Sequence, residues 1–154
     1  MKVEFINPFL SSMLNVMSTM AQVELTPEKP QLKKGDIAKG DVSGLIGMVS
    51  AETKGSLSIT LDEPLALATM KGMVGEAPNE VNDEIIDLVG EITNMVSGGA
   101  KRILSEKGFN FDMATPVVVS GPDHTIHHKS KGPVVIMSLK GEVGRAYIEF
   151  SFDE

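Results

Sequence analysis

VNDEIIDLVGEITNMVSGGAKRIL, residues 81–104 of the 154-residue chain, is the stretch on which the fold turns. Ile85, Leu88, Val89, Ile92, Val96, Gly99 and Ile103 recur at steps of three and four, the period of an amphipathic helix. At about 100° per residue they make one stripe roughly 100° wide. Asn82 and Asp83 can cap the start, where acidic residues suit the helix dipole, and Lys101 and Arg102 complement the other end.

The opposite face is unusual for a helix that only covers a core. Glu91 and Asn94 are three residues apart, hence neighbours on the surface. Gly90 and Gly98 flank them on that outward side. A glycine costs a helix interior roughly 1 kcal/mol relative to Ala, and Asn is also poor there. Small residues around a projecting carboxylate and amide leave room for another molecule's backbone. The plainer reading is a solvated face with chance glycines.

A chain of this length suits one domain over residues 1–154, with a real hydrophobic core. No apolar run is long enough to span a membrane, and the start, MKVEFINP, lacks a signal peptide's apolar segment. With no cysteine there is no disulfide or thiol chemistry. A soluble cytoplasmic protein is expected. The net charge of −7 argues against nucleic acid, which needs a basic footprint. Lys29, Lys33, Lys34 and Lys39 do cluster, but among Glu28 and Asp36, so a solvated strand or loop is expected there. Tyr147 is the only tyrosine and Trp is absent, which leaves no aromatic stacking platform.

Asn7-Pro8 reads as a helix start, with Asn as N-cap and Pro at the first helical position. Leu10, Met13, Leu14, Met17 and Ala21 then form an apolar stripe, with Ser11, Ser12, Asn15 and Thr19 outward. A linker at 26–30 leads to a polar strand expected within 31–42. Residues 45–49 and 56–61 make a hairpin around 51–55. Leu57, Ile59 and Leu61 alternate with Ser56, Ser58 and Thr60, which predicts a sheet with one face buried and the other polar, at least partly in solvent or used in association. Pro64 opens a shorter helix that ends at 75–78. Residues 116–120 are a β-branched run, a polar His-rich segment continues to Lys131, and 134–139 and 145–152 form a last hairpin.

The two hairpins resemble each other. SLSITL (56–61) and RAYIEF (145–150) each follow a glycine, Gly55 or Gly144, and each hairpin follows a helix with an outward Asn, Asn15 or Asn94. These features predict an α+β fold: a duplicated helix-plus-antiparallel-strands unit with pseudo-two-fold symmetry, two long helices packed on a sheet.

GEITNMVSGGAK, residues 90–101, resembles the phosphatase signature of the CheC/CheX/FliY family, whose core is Glu-x-x-Asn. DVSGLIG (41–47), KGS (54–56) and FINPFL (5–10) resemble the CheX branch, and the likeness spans essentially the whole chain. The resemblance implies a phosphatase for the aspartyl phosphate of a CheY-type response regulator in bacterial chemotaxis. Some family members carry the signature on both pseudo-symmetric helices. Here Ser12 stands where Glu would be and Asn15 is kept, so one active helix per chain is expected, in a homodimer paired through sheet edges. Asn15 is read as a leftover of the duplication.

On that basis Asn94 orients the attacking water and Glu91 pairs with the partner's Lys. Gly90, Asp87, Gly98 and Lys101 are the expected partner contacts. No cofactor of its own is expected, because the regulator supplies Mg²⁺. A non-catalytic homodimeric module that binds receiver domains would keep the same helix face. A metal hydrolase built on His124, His127 and His128 is disfavoured, since no H-E-x-x-H pattern or companion Cys exists and a solvated His loop is expected.

Overall fold

The computed structural model describes residues 3–153. Its helices are α1 (Val3–Ala21), α2 (Glu63–Val74) and α3 (Asp83–Glu106). The strands are β1 (Thr26–Pro27), β2 (Gln31–Leu32), β3 (Val42–Val49), β4 (Lys54–Leu61), β5 (Asp112–Met113), β6 (Val117–Ser120), β7 (Val134–Lys140) and β8 (Arg145–Phe152). All strand pairs are antiparallel, in the order β1-β7-β8-β4-β3-β5, with β2 also on β7 and β6 also on β3.

The predicted duplication shows in the strand order β7-β8-β4-β3, two hairpins related across the β4–β8 pair. The hairpin ends Val49↔Lys54 and Lys140↔Arg145 equate residue 54 with 145, two residues away from the sequence match of 56 with 145. On that equivalence Ser58 corresponds to Glu149, which it faces in the β4–β8 pair, so the pseudo-two-fold axis passes between those two residues. One face of the sheet holds Ile46, Leu57, Ile59, Leu61, Met137, Leu139, Ile148 and Phe150, all buried against the helices. Their burial, at about 25 cal/mol per Å² of apolar surface, is the main force closing the domain.

α1 starts earlier than Asn7-Pro8 predicts: the helix runs from Val3, with Pro8 inside it. The extra turn is held from outside. Phe5 packs edge-on against Phe109 and Phe111, with ring centroids 4.9 and 5.7 Å away, and leans on Phe152. That aromatic packing outweighs the ladder hydrogen bond that proline cannot donate. α3 runs past Lys101 and Arg102 to Glu106, so no basic residue lies in its last turn. Arg102 instead reaches Glu106, one turn on, at 3.5 Å.

The polar face of the sheet is not in solvent. Ser56, Ser58 and Thr60 are buried, as are Ser43, Glu149 and Ser151. Two segments cross them. Of the strand expected within 31–42 only Gln31–Leu32 pairs with β7; the chain then leaves the sheet and Ile37 bridges Thr125. Lys33, expected in solvent, is buried against Glu149 at 2.8 Å. The His-rich segment is a strap over this face, and only His127 of the three histidines is exposed.

The strap is held by ordered hydrogen bonds. His124 Nδ1 donates to Gly121 O at 2.8 Å, because a carbonyl can only accept. Its Nε2 is hydrogen-bonded to Ser43 Oγ at 2.7 Å, and Ser43 Oγ is bonded in turn to Thr60 Oγ1 at 2.6 Å. His128 Nε2 donates to Glu149 at 3.0 Å, and its Nδ1 is hydrogen-bonded to Ser56 Oγ at 2.5 Å. Ser130 bonds Ser151. A buried charge needs this kind of pairing.

Candidate functional site

α3 is placed by its cap and by two close contacts. Asn82 accepts the Ile85 N–H at 3.1 Å and fixes the first turn. Thr93 lies on Gly44 of β3, where a Cβ would overlap its Oγ1. Ser12 of α1 donates to Val96 O at 2.7 Å. Ser12 meets α3 near residues 96–99 while Phe5 reaches Phe109, beyond the end of α3, so α1 and α3 run in opposite directions. The expectation that Ser12 faces outward is corrected here. It is 6% exposed, because its small side chain packs against Gly99 and the Val96 carbonyl of α3.

The opposite face of α3 is open. Asp87, Glu91, Asn94, Gly98 and Lys101 are all exposed. At about 100° per residue, Asp87, Glu91, Asn94 and Gly98 fall within a sector of roughly 60°. Among the described residues, neither the Glu91 carboxylate nor the Asn94 amide has a hydrogen-bond or ion-pair partner. Nothing lies within 4 Å of where a Cβ on Gly98 would sit. Gly90 differs from the expectation of a wholly outward residue: it is half-buried, and a Cβ there would stand 3.4 Å from Val118 of β6. Its lack of a side chain already serves packing against the sheet.

Asn15 on α1 is also exposed, and its carbonyl accepts the Thr19 hydroxyl at 2.7 Å. The three histidines do not converge. Among the described residues no group of three or more His, Cys, Asp or Glu could hold a metal. What the α3 face offers chemically is a neutral donor–acceptor amide beside an unpaired carboxylate, on a rigid support. The contact missed by sequence reading is Ser12 with Gly99. Its one signal was a glycine inside the apolar stripe of α3.

The fold is that of a CheC-like protein. The CheC-like superfamily protein from Shewanella sp. PV-4 superposes with a TM-score of 0.94 at 61% identity, covering 100% of both chains. Chemotaxis protein CheX from Vibrio vulnificus is 62% identical over 98% of this chain and 100% of its own, with a TM-score of 0.92. The CheX of the CheX–CheY–BeF3–Mg²⁺ complex from Borrelia burgdorferi is 26% identical, with a TM-score of 0.82, covering 99% of this chain and 100% of that one. The CheY-P phosphatase CheX of Thermotoga maritima is 25% identical over 140 residues, 90% of this chain and 88% of that protein. The chemotaxis phosphatase CheX family model matches residues 42–140. The chain belongs to that family of phosphatases. No described helix is long and apolar enough to cross a membrane.

Proposed function

We propose that this chain hydrolyses the aspartyl phosphate of a CheY-type response regulator in bacterial chemotaxis, by inserting the outward face of α3 into the regulator's phosphorylation site. The observation that carries the reading is the pair Glu91 and Asn94, exposed and unpartnered on a capped 24-residue helix. The Borrelia complex, of a relative with CheY, BeF3 and Mg²⁺, supports the partner class, beryllofluoride being a chemical stand-in for a phosphoryl group. The Mg²⁺ belongs to the regulator, where it offsets charge on the phosphoryl oxygens.

An acyl phosphate is already reactive, so the remaining task is to place water in line. The Asn94 amide oxygen accepts one water O–H, and its NH₂ is free to donate. The water oxygen then points a lone pair at phosphorus, and the orienting amide itself carries no negative charge to repel the phosphate. The new P–O bond forms as the bond to the aspartyl oxygen breaks. The electron pair leaves with the carboxylate, and both water protons go to the released inorganic phosphate, which exchanges one of them with solvent. Glu91 pairs with the regulator's Lys beside the phosphoryl group. Asp87, Gly98 and Lys101 line the approach, with Gly90 at its edge. The reaction takes place in the cytoplasm with its regulator.

The test is the decay rate of a phosphorylated CheY-type receiver with and without the chain. Acceleration by wild type that is lost in Asn94→Ala is expected. Equal decay with and without wild type overturns the reading in favour of a binding module. We also infer a homodimer paired through the β6 edge, supported by Val117 and Val119, 61% and 38% exposed on a strand that pairs only with β3 among the described residues. Sedimentation that gives a monomer for both wild type and Val117→Lys removes that part alone.

A further inference from the structure

Ser12 on α1 and Glu91 on α3 each lie three residues before an asparagine, Asn15 or Asn94. The two helices use these equivalent places in opposite ways. Glu91 stands in solvent, whereas Ser12 is buried with its hydroxyl on Val96 O. Facing it, Gly99 has no room for a side chain: a Cβ there would overlap Ser12 Oγ and lie 3.3 Å from Ser12 Cβ. The contact falls two to five residues beyond Asn94, at most about 7.5 Å along the helix axis. On the sheet side, Thr93 rests on Gly44, again with no space for a Cβ. Residues 93–99 are therefore held at atomic contact from the neighbouring helix and from the sheet.

We propose that Ser12 is a positioning residue for the phosphatase reaction. The place in the first repeat that corresponds to Glu91 in the second is the stop that sets how far α3 stands from α1, and thereby where Asn94 projects. The inference rests on the reading of Asn94 as the residue that orients water. Packed interiors do not absorb an added methyl without moving. A misplacement of about 1 Å at a reacting centre costs up to about 100-fold in rate. It also follows that a carboxylate at position 12 has nowhere to go outward; it would wedge the helices apart.

The experiment compares wild type, Gly99→Ala, Ser12→Ala/Gly99→Ala and Ser12→Glu for kcat and KM on a phosphorylated CheY-type receiver. Melting temperature is recorded for each, and the Asn94 side-chain amide resonances are followed without any partner. Gly99→Ala is expected to lower kcat about tenfold or more with KM changed less than about twofold, and to shift the Asn94 resonances. Removing the Ser12 hydroxyl in the double variant is expected to return kcat to within about threefold of wild type and restore the resonances. Ser12→Glu is expected to lower kcat. A Gly99→Ala protein that melts earlier yet keeps kcat and the Asn94 resonances overturns the inference, as does a double variant no better than the single, or a gain of activity in Ser12→Glu. Wild type that fails to accelerate decay is a failure of the functional reading instead, and the resonances still report whether residue 12 sets Asn94.

Discussion

The chain has two polar surfaces made from similar residue types, and they behave in opposite ways. On the outward face of α3, Glu91 and Asn94 stand in solvent, and their side chains have no partner among the described residues. On the far face of the sheet, Glu149 is fully buried and both of its oxygens are engaged, one by Lys33 at 2.8 Å and one by His128 at 3.0 Å. A buried charge that is paired specifies structure, and its hydrogen-bonding capacity is spent. An exposed charge with nothing to bind retains that capacity for another molecule. On the proposed function, the contrast separates the part of the molecule that holds the fold from the part offered to a partner.

The sharpest way to break this contrast is Glu149→Ala. Lys33 would be left buried without its counter-charge, and a loss of about 3–5 kcal/mol in unfolding free energy is expected by denaturant titration. Activity per folded molecule should persist, since the network lies across the sheet from α3; a stable but inactive variant would show that the two surfaces are coupled. Asn94→Ala is expected to do the reverse. The decay rate should fall by about 100-fold or more while stability changes by less than about 0.5 kcal/mol. Glu91→Ala should raise KM about tenfold with a smaller effect on kcat, as expected when a docking ion pair is lost. The smallest effect belongs to Ser58, whose Oγ is the one buried side-chain polar atom without a hydrogen bond among those described. Ser58→Ala is expected to be neutral or to stabilise by up to about 1 kcal/mol, and a clear loss would reveal a partner for that hydroxyl.

The legibility of the sequence follows the range of the forces involved. The α3 stripe, its Asn82 cap and the two hairpins are local patterns, and all three are readable because helical and strand periods express themselves within a few residues. The outward placement of Glu91 and Asn94 follows from the same period. The burial of Ser56, Ser58 and Thr60 does not, because alternation says which residues share a face and nothing about what covers it. The covering strap comes from His124 and His128, 81 residues from Ser43 and 72 from Ser56. Asn7-Pro8 misled for a related reason: a cap signal is weaker than an aromatic cluster assembled from Phe5, Phe109, Phe111 and Phe152. Ser12 was read by composition as an outward polar residue, while its actual neighbour, Gly99, sits 87 positions along the chain.

The axis between Ser58 and Glu149 has a consequence for how the two repeats depend on one another. β4 and β8 are each other's inner neighbours, and α3 from the second repeat lies over β3 and β4 of the first. Neither repeat on its own can close a core, so severing the backbone in the connection at 75–80 would yield two fragments that are each unfolded alone. Mixed in equal amounts they should recombine into the native sheet, and that fragment complementation would make the chain a natural split reporter for its own assembly.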